Sequence, residues 1–234
     1  MPEALAKRRK LRYVQPMSSN LPKPARAGVS AKDPKRPARL PRGDKPVEDE
    51  ANVGARRRQI MQEAARLFGT RGFEATTIRD IAAATGILGG SIYYHFASKE
   101  EIFVAVHAAG MEKITQAVLD ALDGVDDPWD RLEAAAVAHC NDLLGSNEVP
   151  VIVSPYYSES LRALRETLVA QRDRYERVIK DLVDALDLPP DIDRSLFRLN
   201  FLGALNWMPT WYRASAERTP AEIGRQLVLS LRPR

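Results

Sequence analysis

Cysteine is almost missing from this chain: Cys140 stands alone among 234 residues. No intrachain disulfide can form, which fits a reducing compartment and makes the cytoplasm the expected location. Histidine is limited to three residues, and no His, Cys, Asp or Glu set has metal-ligand spacing, so no metal and no cofactor are expected. Glycine is modest, at 13 residues, and none forms a loop that cradles phosphate. No apolar run approaches the ~18–20 residues of a bilayer-spanning helix, so no membrane partner is expected. The N-terminus lacks the apolar core of a secretory signal. A transit peptide is disfavoured by the eight prolines and six acids in the first 50 residues. Alternating strand patterns of useful length are missing too. Helical periodicity covers most of the chain after residue 54, and 44% hydrophobic content supports a real core. The chain is expected to be all-α.

The net charge of +4 hides an asymmetry. Residues 1–58 hold 16 Lys and Arg against 6 Asp and Glu, whereas residues 59–234 hold 19 against 25. A basic arm at one end attracts phosphates or merely solubilises. Residues 1–52 are expected to be a disordered, basic, Pro-rich tail: they hold half of the 16 prolines and few large apolar residues. Within them, Lys7–Arg12 is a candidate phosphate contact and Met17 an alternative start.

The most informative stretch runs from Thr77 to Phe96. It predicts a helix, a glycine turn and a second short helix. Thr77 caps the first helix and Asp80 completes a capping box. Ile78, Ile81 and Ala82 share a face. Gly86 stops the helix, since glycine tolerates the left-handed backbone of a tight turn. Ile87 and Ile92 then point inward, leaving Ser91, Tyr94 and His95 to project. Two helices across so short a turn can place the second in a DNA major groove. Upstream, residues 55–70 predict an amphipathic helix burying Ile60, Ala64, Leu67 and Phe68. Arg56, Arg57 and Arg58 fall at its start, where positive charge opposes the helix dipole unless a polyanion lies nearby. Phe73 is an expected core plug. Ser98–Glu101 is a second capping box, opening a helix to about Leu122 with Ile102, Phe103 and Val106 on its apolar face. Further helices are expected from Pro128 to about Leu144, over about 155–186, over about 191–214 with a kink at Pro209, and over 220–231.

Taken together, Ile60, Ala64, Leu67-Phe68, Gly72–Ile78, Ile81-Ala82, Gly86, Ser91–Phe96 and Ser98–Glu101 resemble the DNA-binding domain of the TetR family of transcriptional repressors. The resemblance implies a three-helix, helix-turn-helix DNA-binding domain over residues 53–104. It implies a helical effector-binding and dimerisation domain over 105–234, working as a homodimer on a palindromic double-stranded DNA operator. Ser91 and Tyr94 would read bases, His95 would either read bases or cap and pack, and the backbone of Gly89 and Gly90 would approach the duplex closely. Arg57, Thr76, Thr77 and Lys99 would grip phosphates. Tyr93 would mainly pack, with a phosphate contact besides. One departure stands out: Leu88-Gly89-Gly90 occupies a place where many members carry a polar residue. A stretch like Ile87–Ser91 is similar to that of members controlling steroid and fatty-acid breakdown.

The resemblance also implies that the last two helices pair with those of a second copy and line an effector cavity. Tyr156, Tyr157, Trp207 and Trp211 are candidate cavity walls, Asn200 and Asn206 candidate polar contacts, and Arg162 or Arg165 a candidate anion holder. Such a cavity suits a hydrophobic, lipid-like or acyl-CoA-like effector. Two other classes compete. One is a non-specific nucleoid-associated protein acting through the basic tail. The other is an enzyme using His139 and Cys140 near Asp142, although neighbours on a helix point about 100° apart and do not face each other.

Overall fold

The computed structural model describes residues 50–145, 159–214 and 217–233. The expectations for residues 1–49, the apolar stretch 149–153, Tyr156 and Tyr157 lie outside the described residues. Among those described there are eight α-helices, two short 3-10 turns and no strand.

Helix α1 (Glu50–Arg71) begins earlier than its apolar periodicity. It takes in residues 50–52, which were expected in the tail, and Arg56–Arg58 lie beyond its first turn, so the dipole argument does not apply to them. Helix α2 (Ile78–Thr85) opens on the expected box: the Thr77 hydroxyl accepts from the Asp80 N–H, and the Asp80 carboxylate accepts from the Thr77 N–H at 2.8 Å. Gly86 closes it at φ +67°. Helix α3 (Gly89–His95) follows, then α4 (Lys99–Ala121). Ser98 caps α4, but the Glu101 carboxylate accepts from the Ala97 N–H rather than closing on Ser98.

Ile60, Ala64, Leu67 and Phe68 of α1 pack with Phe73, Ile81, Ala82, Ile92 and Phe96. The rings of Phe68, Phe73 and Phe103 form a triangle with centroids 5.2–5.6 Å apart. Helix α4 runs through both cores. Its first half gives Ile102, Phe103 and Val106 to this head, and its second half gives Met111, Ile114 and Val118 to the body. By length and composition α4 alone among the described helices passes as a membrane span; its apolar side is used up by the two cores.

The body comprises α5 (Pro128–Gly145), α6 (Arg165–Asp184), α7 (Arg194–Trp207) and α8 (Pro220–Leu231). Two ends differ from expectation. The described stretch before α6 is a 3-10 turn, Glu159–Leu164, so α6 begins at Arg165. Helix α7 ends at Trp207 and continues only as a 3-10 turn, Met208–Thr210. Pro209 has no N–H to extend the α ladder and its ring crowds the preceding turn, so it is a stop rather than a kink. Helix α8 lies close on α5: a Cβ at Gly224 would stand 2.9 Å from the backbone of Ala136 and Val137. Leu161 and Leu168, from the turn before α6 and from α6 itself, pack into the head core.

Candidate nucleic-acid interface

A seven-residue helix has no stability of its own, so α3 depends on what holds it. Ile92 is its one buried residue, and Phe96 plugs the core just beyond its end. The turn from α2 is fixed by the Ile87 N–H donating to the Ala82 carbonyl at 3.0 Å. Arg57 secures the far end. Its guanidinium lies 3.9 Å from the centre of the Phe96 ring, donates to the His95 carbonyl, and has Glu101 3.9 Å away. A cation there also complements the negative end of a helix dipole. Arg57 therefore positions α3 besides adding charge to the face.

Anchored in this way, α3 shows nearly everything else to solvent. Tyr93 is 58% exposed and Tyr94 72%. Gly90 and Ser91 are exposed; Gly89 and His95 are half-buried. The His95 ring meets the Tyr94 ring edge-on, with centroids 5.1 Å apart. Tyr93 is thus a surface residue and not the packing residue its pattern implied, because Ile92 alone fills the inward position.

Two expected phosphate grips are occupied internally. Thr76 is fully buried; its hydroxyl lies 2.8 Å from the Gly72 carbonyl and 3.3 Å from that of Leu67. The Lys99 ammonium donates to the carbonyls of Phe73 at 2.8 Å and Thr76 at 3.0 Å, and sits 4.1 Å from the centre of the Phe73 ring. Both hold the loop between α1 and α2. Thr77 is exposed but tied into its capping box, donating to Asp80 at 2.6 Å. Those bonds from the Thr77 hydroxyl and N–H, with Arg71 nearby, hold the Asp80 carboxyl below its ordinary value. Arg58 and Arg79 are exposed. Arg79 is an exposed cation on α2 that no motif marks, about 100° around the helix from Ile78.

Of the six effector candidates, four lie among the described residues, and only Trp211 borders a cleft. Tyr156 and Tyr157 lie outside the described residues. Arg162 is exposed, Asn206 half-buried, and Trp207 61% exposed. Trp211 borders an open cleft of about 620 Å³ between the end of α7 and the start of α8, with Tyr212, Arg213, Arg218 and Glu222.

The catalytic alternative loses its chemistry to burial. His139 Nδ1 lies 2.5 Å from the Tyr175 hydroxyl, and burial lowers the imidazole pKa to about 4. The Cys140 thiol lies 3.4 Å from the Met208 sulfur, and burial pushes it up to about 12. At neutral pH this leaves neither a thiolate nor an imidazolium. Asp142 pairs with Lys113 at 2.9 Å. Among the described residues no cluster of His, Cys, Asp or Glu has the makings of a metal site.

Known proteins resemble the chain over both parts. Residues 60–106 match the domain described as bacterial regulatory proteins, tetR family, and residues 125–232 match the tetracyclin repressor-like C-terminal domain. The HTH-type transcriptional repressor KstR2 of Mycobacterium tuberculosis is 31% identical over 185 residues, spanning 74% of this chain and 90% of that protein. KstR2 of Rhodococcus jostii is 30% identical over 197 residues, spanning 77% and 91%. The solved structure of the ketosteroid transcriptional regulator KstR2 of Mycobacterium tuberculosis superposes with a TM-score of 0.62 at 28% identity, covering 75% of this chain and 92% of that one.

Proposed function

The chain belongs to the TetR family of bacterial transcriptional regulators, and from that premise we propose that it is a ligand-responsive repressor binding a palindromic operator as a homodimer. The observation that carries the proposal is α3. A helix that buries only Ile92 keeps two tyrosines and a serine in water, with Arg57 fixing its far end. Ser91, Tyr94 and His95 meet base edges; Tyr93, Thr77 and Arg57 lie toward the sugar-phosphate backbone.

The dimer reading is supported by the outer faces of α7 and α8. Leu196, Leu199 and Trp207 of α7 and Leu229 of α8 are each more than half exposed. Large apolar side chains gathered on two adjoining helices are the mark of an interface. Exposed Gly203 on the same helix permits a close crossing. A two-fold pair would set half-sites roughly 34–36 Å apart or a multiple of that.

The effector is proposed to be a hydrophobic, lipid-like or acyl-CoA-like molecule held in the body. Its support is the apolar body core and the regulators of similar sequence, one of which carries ketosteroid in its name. Leu161 and Leu168, packed in the head core from the body side, supply a mechanical link. A DNA-bound regulator of this kind works in the cytoplasm, on the nucleoid.

Gel-shift titration on the chain's own promoter region, repeated across salt concentrations, tests the reading. Affinity is expected to fall steeply with salt as phosphate contacts release counterions. Salt-insensitive or undetectable binding overturns it. Deleting residues 1–49 separates it from tail-driven nucleoid binding. The repressor keeps its operator preference at lower affinity, whereas a tail-driven binder loses nearly all affinity.

A further inference from the structure

Leu88 is the most exposed large apolar side chain among the described residues, at 81%. It lies in the turn between α2 and α3. Nothing in the fold calls for a leucine there. Its backbone is extended, at φ −71° and ψ 144°, and its side chain makes no capping hydrogen bond. A turn entering a helix favours Ser, Thr, Asp or Asn, and leucine is among the poorest choices. Next come Gly89 and Gly90, where an added Cβ would meet nothing within 4 Å. Internal packing therefore does not demand those glycines either. Between Ile87 and Ser91, Leu88 is the only side chain.

Resting on the operator-binding reading above, the geometry points to Leu88 as a thymine reader, its isobutyl group meeting the C5-methyl of one thymine per half-site. The residues leading into the second helix of such a motif face base edges in the major groove. Of the features displayed there, one is apolar, the thymine methyl. Leucine has no donor or acceptor, so it gains nothing from the polar edges of G, C or A, and covering them leaves those groups unpaired. For the same reason it is no phosphate ligand. The hydroxyls of Ser91 and Tyr94 serve the polar edges; Leu88 supplies the complementary apolar contact.

The test uses the full chain. Its operator is selected from a random-sequence duplex library. Each thymine of the selected half-site is then replaced by deoxyuridine, symmetrically in both halves, which removes the methyl and nothing else. Fluorescence anisotropy compares the parent chain, Leu88→Ala and Leu88→Met. One thymine position is expected to matter, at about fourfold per half-site and roughly fifteenfold for the pair, the worth of one buried methyl each. Leu88→Ala should bind the thymine and uracil duplexes equally, and Leu88→Met should restore the difference. Melting of Leu88→Ala should match the parent, since an exposed side chain contributes little to the core. If the parent is indifferent to every uracil, or Leu88→Ala keeps the sensitivity, the thymine assignment is overturned while operator binding stands. If no sequence is enriched, both fall.

Discussion

Gly89 and Gly90 are poor residues with which to begin a short helix. Each costs about 0.5–1 kcal/mol relative to alanine in a helix, and neither site is too cramped for a Cβ. Replacing both with alanine should raise stability in urea unfolding by about 1–2 kcal/mol. The same change should weaken operator binding by about tenfold, the scale of one lost base contact, because two methyl groups hold the backbone off the duplex. A stabilised variant with unchanged affinity would place the glycines away from DNA. Adjacent threonines show how far the sequence was legible here. The capping-box spacing of Thr77 and Asp80 identified Thr77 without a structure. Nothing comparable marked Thr76, whose hydroxyl is enclosed by carbonyls of α1 and the following turn. Lys99 was opaque for a related reason. Its partners, Phe73 and Thr76, are 26 and 23 residues away, and a flexible side chain carries no local sign of where it docks.

Helix interiors were legible because burial imposes a period, and helix ends were less so because local chemistry competes there. Gly86 and Ser98 marked their boundaries correctly, each acting through its own backbone or hydroxyl. The start of α1 carries no apolar stripe, so residues 50–52 looked like tail. Pro209 was visible, but whether a proline kinks or stops a helix depends on what lies beyond it, and α7 stops. The fit of α8 on α5 had no local signature, because the atoms that crowd Gly224 belong to Ala136 and Val137. Gly224→Ala makes that fit measurable. Helix propensity alone predicts a gain of about 1 kcal/mol. A Cβ 2.9 Å from backbone atoms, which cannot swing aside, costs about 1–3 kcal/mol by overpacking. A net loss of stability on chemical denaturation is therefore expected; a gain would mean the two helices separate without penalty.

The two cores meet along α4, where His107 sits near the junction, and a second buried histidine, His139, lies on α5 in the body. His107 Nδ1 donates to Gln171 at 2.7 Å, joining α4 to α6, and Gln171 donates on to the Val104 carbonyl. Burial lowers the pKa of His107, and that of His139 to about 4. A histidine buried neutral stabilises fully above its ordinary pKa of about 6.5, and that stability is lost as pH falls from there toward the folded value, because the unfolded chain takes the proton first. For His139 the loss amounts to about 3 kcal/mol by pH 4. Thermal melts between pH 7 and 4 should show it, and His139→Gln should flatten the profile. In the proposed repressor, operator recognition depends most on pairing of two copies. If α7 and α8 join two copies, Leu199→Asp puts a carboxylate into an apolar interface where it finds no partner. Leu199 is 54% exposed in the single chain, so the fold of each copy should survive, with an unchanged circular dichroism spectrum. Sedimentation should then report a monomer. Operator affinity should fall by about a hundredfold or more, since each head binds its half-site alone without the effective concentration of its twin. A Leu199→Asp protein that stays dimeric and keeps its affinity would move the interface away from these helices, and with it the geometry by which an effector in the body reaches the heads.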